Sequence, residues 1–296
     1  MNMQQRSIKN LLAVTIMPIC LAVFLTACSG PAPDEEAQAA ADAPKSIAVI
    51  GATARSGRVI IAQALEAGFQ VTGLARSPEK FGYEHENLTL VKGDVRDAET
   101  LKAALTGSEV VICMVGKSAP ADPSAPIGEV DLYTVMGANL LETMAAKGNK
   151  RLIMASSTGV EHRVPNEATE PEGPGMSNAW RFNARYLYND MAAMEEQIVN
   201  SGLDYILLRP GFMVEEPARN DMQFAIDGGT PGGRTITYED FSAFILANLE
   251  SDEYVGKAVG MYSDEIMDPA KETKKFLEKM RLQNEAEAAA AEQAGG

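Results

Sequence analysis

Ile47-Ala48-Val49-Ile50-Gly51-Ala52-Thr53-Ala54-Arg55-Ser56-Gly57 is the stretch on which the fold turns. A short, unbroken apolar run reads as a strand covered on both faces. It meets a glycine loop, and residues 57–67 behind the loop read as a helix. A tight glycine turn lets the backbone come close to a phosphate group, and the helix N-terminus that follows favours an anion. For the loop taken alone, a tight turn with no ligand is the alternative.

Outward from this unit the alternation continues. Residues 70–75, 88–91, 109–115, 151–155 and 205–208 read as further short strands, and 98–105, 130–147 and 185–200 as helices between them. Short continuous apolar strands separated by helices indicate a parallel sheet with helices on both faces. The expected fold class is therefore α/β, a doubly wound parallel sheet forming a single domain over 46–282. No repeat of solenoid length is visible. In such sheets ligands bind beyond the carboxyl ends of the strands, where the strand order reverses.

Composition sets the outer limits. Of 296 residues 46% are hydrophobic, enough for one sizeable core. The formal net charge of −15 makes the body a poor partner for nucleic acid or for anionic membrane surfaces. His85 and His162 are the only histidines, and neither has a neighbour at metal-ligand spacing, so no metal site is expected.

At the amino terminus, Arg6 and Lys9 precede an apolar stretch, 11–25, and Leu25-Thr26-Ala27-Cys28 closes it with small residues before a cysteine. Charge, apolar core and small-residue cleavage site in that order describe a secretory signal. The stretch contains Pro18 and falls short of the ~20 residues a membrane span needs. Its end resembles the lipobox of bacterial lipoproteins. That resemblance implies removal of 1–27, lipidation of Cys28 and a lipid-anchored place in the cell envelope outside the cytoplasm. Ser29 in the next position favours the outer membrane. Residues 28–45 read as an acidic Pro/Ala tether, and 283–296 as an Ala/Glu tail. With Cys20 removed and Cys28 acylated, Cys113 is left alone and no intrachain disulfide forms. Within its apolar run Cys113 reads as a buried, inert thiol.

Several short motifs follow the glycine loop in order: Leu74-Ala75-Arg76-Ser77-Pro78, Gly93-Asp94-Val95-Arg96-Asp97, Ala155-Ser156-Ser157-Thr158-Gly159, Ser201-Gly202-Leu203-Asp204-Tyr205 and Arg209-Pro210-Gly211. Together with the loop they resemble the atypical short-chain dehydrogenases, including the NmrA-like and flavin-reductase-like NAD(P)H-binding proteins, whose fingerprint is G-A-T-G-x-x-G. The likeness runs from 47 to 259. It implies a Rossmann-type sheet and a role for each piece. Gly51, Thr53, Ala54 and Gly57 form the loop against the pyrophosphate, with Arg55 and Ser56 contacting phosphates. Arg76 pairs with a 2′-phosphate, where a 2′-hydroxyl would call for an acid, so NADP is favoured over NAD. A solvated surface arginine is the alternative. Asp94 and the Val95 backbone meet the adenine, and Met114, Val115 and Gly116 line the path to the nicotinamide. Ser156 or Ser157 lies near that ring, and Pro210, Gly211 and Phe212 close over its amide.

Two departures bear on chemistry. Ala54 stands in place of the middle glycine, where its methyl narrows the approach to phosphate and removes easy access to φ > 0. Standard members use Tyr-x-x-x-Lys, in which the lysine lowers the tyrosine pKa. Counting back from Ser201-Gly202-Leu203 puts Leu187 and Met191 in those two slots, with Tyr186 and Tyr188 flanking the first. Neither tyrosine has a lysine four residues on. Ser156, Ser157 and Tyr188 remain as candidate catalytic hydroxyls. A conjugated flavin- or quinone-like acceptor that takes hydride directly fits this set better than an alcohol–ketone pair. A non-catalytic nucleotide binder and an envelope scaffold or assembly factor are the alternatives. The carboxylates of 161–172 read as solvated, in a Pro/Gly-rich lid or insert. Trp180, Phe182 and Tyr186 behind it read as core packing or as the lining of an apolar pocket.

Overall fold

Residues Ile47 to Ile50 of β1 (Ser46–Ile50) are buried without exception, because the strand has a parallel neighbour on each side: β2 (Gln70–Ala75) and β4 (Val110–Cys113). The computed structural model describes residues 45–117, 125–174, 176–228, 230–268, 270–271, 274–275, 278 and 281–282. The signal segment, Cys28, the tether to residue 44 and the tail 283–296 lie outside the described residues.

Around β1 the chain adds β3 (Leu88–Lys92), β5 (Arg151–Ala155), β6 (Asp204–Pro210), β8 (Gln223–Ile226) and β10 (Lys257–Tyr262), giving the order β3-β2-β1-β4-β5-β6-β10-β8. The order reverses between β1 and β4, so the carboxyl ends of these two strands flank the crevice where such sheets bind ligands. Side chains alternate across the sheet. Ile47, Val49, Val110 and Ile112 enter one core with α1 (Arg55–Glu66) and α6 (Tyr238–Ala247). Ala48, Ile50, Val111 and Cys113 enter the other, with α2 (Ala98–Leu105), α3 (Leu132–Lys147) and α5 (Arg185–Val199). Each such aliphatic side chain contributes about 1.5–3 kcal/mol by leaving water, so both faces must be covered. Cys113 is fully buried, and burial pushes its thiol up to about 12, as an inert thiol requires.

Three features differ from the sequence reading. β8 runs antiparallel to β10 at the sheet edge, so the sheet is mostly rather than wholly parallel. A separate two-stranded sheet pairs β7 (Phe212–Val214) with β9 (Thr235–Thr237). Helix α1 begins at Arg55, which places Arg55 and Ser56 in its first turn instead of the loop. The helix α4 (Met176–Asn183) lies between the fifth strand and α5. Among the described residues no helix is long and apolar enough to cross a membrane.

Candidate functional site

The carboxyl ends of β1 to β4 enclose a cleft of about 640 Å³. Its floor is the glycine loop. Gly51 has φ +93, and a Cβ there would stand 3.1 Å from the Met114 carbonyl carbon, so both the turn and the close approach call for glycine. Gly57 lets the helix start press on the loop, since a Cβ there would fall 2.2 Å from the Gly51 oxygen. α1 opens on Ala54 with no capping side chain and no acid in its first turn. Its first backbone N–H groups are thus left for an anion. Ala54 itself sits at φ −64, so the missing glycine costs no strain. Only its methyl, in the cleft wall, narrows the approach.

Arg76 stands exposed on the lip, and among the described residues its guanidinium makes no hydrogen bond or ion pair. Asp94 and Val95 form the adjoining wall, where the Asp94 carboxylate accepts from the Arg96 backbone N–H at 3.0 Å. Arg96 pairs with Asp131 across the cleft. Met114, Val115 and Gly116 line the side below β4. Thr53 lines the loop side, whereas Ser56 and Gly57 lie behind the wall. Arg55 points elsewhere, 3.5 Å from the Glu215 carboxylate and over the Tyr238 ring.

The second helix start near the cleft is already filled. Asp190 of α5 accepts from the backbone N–H groups of Tyr133 (2.8 Å) and Thr134 (3.2 Å) and from the Thr134 hydroxyl (2.7 Å), capping α3 from outside. An incoming phosphate therefore has α1, not α3, to bind. Tyr133 was not foreseen from sequence. It is buried, which pushes its phenol up, and its hydroxyl accepts from the Lys117 backbone N–H at 3.0 Å on the cleft's rim.

Beside the cleft, at the carboxyl end of β5, the candidate hydroxyls gather. Ser156 is buried with its hydroxyl unpartnered among the described residues. Ser157 caps the 3-10 turn Thr158–His162, its oxygen accepting from the Gly159 N–H at 3.1 Å. Tyr188 lies against that turn. Its oxygen accepts from the Trp180 indole N–H at 2.9 Å. Burial pushes the phenol up, outweighing the stabilisation of its anion by Trp180, Ser157 and Arg181. Leu187 and Met191 pack in the core, so Tyr188 is the α5 tyrosine turned to the strand end, and Ala192 stands four residues after it.

The carboxylates after the fifth strand are not all solvated. Glu161 and Glu195 flank the Arg209 guanidinium at 2.9 and 2.5 Å, with all three side chains no more than 15% exposed. Desolvation made this pairing necessary, because an arginine so buried needs a charge partner. Phe182 and Tyr186 each stack against the Arg185 guanidinium, and Tyr186 also lines a cavity of about 330 Å³ that is mostly polar. Pro210 ends β6, Gly211 donates to the Met261 carbonyl, and Phe212 is 48% exposed at the start of β7, so these three lie outside the cleft wall.

A mostly parallel sheet with a glycine-bounded loop and an uncapped helix start at its switch point defines a Rossmann-type dinucleotide-binding protein. A family model described as NAD(P)H-binding matches residues 51–252, and the chain belongs to that family. Cinnamoyl-CoA reductase 1 of Arabidopsis thaliana is 28% identical over 197 residues, 60% of this chain and 55% of that protein. Photosystem II assembly factor Ycf39 of Cyanophora paradoxa is 32% identical over 166 residues, 55% of this chain and 44% of that protein. The chain thus spans about half the length of these curated relatives. A solved wide-type short-chain dehydrogenase/reductase from Veillonella parvula DSM 2008, in complex with NADP, superposes with TM-score 0.59. It is 16% identical, over 75% of this chain and 96% of that one, and shows the fold alone.

The residues present fit a dinucleotide. The close glycine turn and the first N–H groups of α1, uncapped among the described residues, supply what a pyrophosphate requires, and Arg76 adds a cation at the lip.

Proposed function

We propose that the chain is an NADPH-dependent reductase passing hydride to a planar, conjugated flavin- or quinone-like acceptor, from a lipid anchor at Cys28 in the cell envelope. The observation that carries the reading is Tyr188, a half-buried phenol hydrogen-bonded by Trp180 at the end of β5, beside a cleft that fits a dinucleotide. A bound reduced nicotinamide supplies the hydride. Arg76 selects the phosphorylated cofactor, and the loop with α1 holds the pyrophosphate. Met114 and Gly116 wall the path toward the strand ends.

Tyr188 works in one direction. With Ala192 where a lysine would stand and with burial pushing its phenol up, the group is protonated at neutral pH. It therefore donates a proton and is not a base. That suits reduction of an acceptor and opposes oxidation of an alcohol, which needs a base. Ser157 orients the same acceptor atom.

The test is oxidation of NADPH by flavins and quinones, with unlabelled and 4-deuterated NADPH. Turnover that slows with the deuterated cofactor supports the reading. Binding of NADPH without oxidation by any of these acceptors sinks it, and favours a non-catalytic nucleotide-binding assembly protein. The absent lysine and the relative named as an assembly factor support that second reading. The anchor has its own test: Cys28→Ala shifts the chain from the membrane to the soluble fraction, and an unchanged distribution rejects it. The envelope address also means that the domain folds, and meets its nucleotide, outside the cytoplasm.

A further inference from the structure

Trp180 is the single tryptophan of the chain, and it is spent on one hydrogen bond. An indole N–H is a donor only, so at 2.9 Å the Tyr188 oxygen must be the acceptor. The phenol's own proton is then turned away from α4. The ring has little freedom to choose otherwise. A Cβ at Gly159 would fall 2.1 Å from the Tyr188 ring, so the phenol lies flat against the turn after β5, with the indole on its oxygen. On the other side, Ser157 accepts from the Gly159 N–H and also hydrogen-bonds the Tyr188 oxygen, so the phenol oxygen sits between the indole and this hydroxyl.

We propose that Trp180 is the positioning residue of the reduction: its N–H aims the Tyr188 proton at the acceptor and then holds the phenolate that proton transfer leaves. The inference rests on the reductase reading given above. In the step, hydride carries an electron pair from the nicotinamide to the acceptor, which is reduced while the nicotinamide is oxidised. The Tyr188 O–H bond breaks and its proton joins the acceptor's heteroatom. The phenolate accepts from Trp180, with Ser157 as its second hydrogen-bond partner, until water restores the proton. A neutral donor thus takes the place of the lysine ammonium of Tyr-x-x-x-Lys chemistry. A neutral N–H supports the anion less than an ammonium does, which is why Tyr188 remains a proton donor near neutrality. Trp180 touches neither cofactor cleft nor reacting atoms in this arrangement; it acts through Tyr188.

The experiment is an alkaline titration of the full chain, reading tyrosinate absorbance and tryptophan emission together. Tyr188 is identified as the ionisation missing in Tyr188→Phe. In the unmodified chain, tryptophan emission falls as that group ionises, and the fall is absent in Tyr188→Phe. Trp180→Phe moves the ionisation upward by about one unit, the worth of one hydrogen bond to a charged oxygen. In NADPH oxidation, Trp180→Phe lowers kcat by about tenfold with NADPH affinity unchanged, and Trp180→His, which keeps a ring N–H, recovers part of the loss. An ionisation at the same pH in Trp180→Phe overturns the proposal, as does an equal fall in NADPH affinity and kcat. If the unmodified chain oxidises no NADPH, the reductase reading fails, while the titration still decides whether Trp180 governs the phenol.

Discussion

In the proposed reading, cofactor choice depends on Arg76. It is exposed, unpaired among the described residues and set at the end of β2, where an acid would instead take a ribose hydroxyl. Hydrogen bonds to a charged group are worth about 1.5–3 kcal/mol, so Arg76→Ala weakens NADPH binding by roughly ten- to a hundredfold. Binding of NADH stays within about twofold, since it lacks the phosphate. Equal weakening for both nucleotides places Arg76 on the shared pyrophosphate. The placement of these residues at the cleft was legible in the sequence because it hangs on local order: a glycine after a strand, an arginine after the next. Tyr133 was not, because its relation to Lys117 exists only once α3 packs over β4. Nor were the contacts of Tyr188 with Trp180 and the turn after β5, which come from separate segments of the chain.

At the scale of elements, the joint between β6, α5 and the turn after β5 is made by charge. Arg209 takes Glu195 from the helix and Glu161 from the turn, in a nearly dry setting. Removing one partner of a buried ion group costs about 3–5 kcal/mol, because the others keep their desolvation without compensation. Arg209→Met is therefore expected to lower unfolding stability by roughly 3 kcal/mol or more in denaturant titration. A change within about 0.5 kcal/mol, ordinary for a surface site, contradicts the buried triad. The strand–helix alternation from β1 to β6 was readable because the central strands β1, β4 and β5 carry unbroken apolar runs and helices of clear length separate them. β7 to β9 are too short for a period to show, and β8 alternates half-buried and exposed residues at an edge. Helix α6 did carry a start signal, overlooked: Thr237 and Asp240, three apart, with the Thr237 oxygen accepting from the Asp240 N–H at 2.9 Å.

Over the whole molecule, acidity is managed by local pairing. Glu216 gathers Lys275, Arg219 and Lys271, which hold its carboxyl down to about 2 from an ordinary 4.5 and tie Lys271 and Lys275 to the loop after β7. A carboxyl depressed in the folded state adds stability above its ordinary pKa and loses it as the pH falls. Stability should decline between about pH 4.5 and 2, and Glu216→Gln should flatten that decline. An identical acid profile in the variant shows that the cluster contributes nothing to it. The sequence displayed these charges but not all their partners: Arg219 lies three residues from Glu216, whereas Lys271 and Lys275 reach it only across the fold. The central claim, that the switch-point cleft holds NADPH, is tested most directly by calorimetric titration of NADPH and NADH into the purified protein. Micromolar NADPH binding, at least tenfold tighter than NADH and reduced to the NADH level by Arg76→Ala, is the predicted result. No heat of binding from either nucleotide at millimolar concentration would contradict the account.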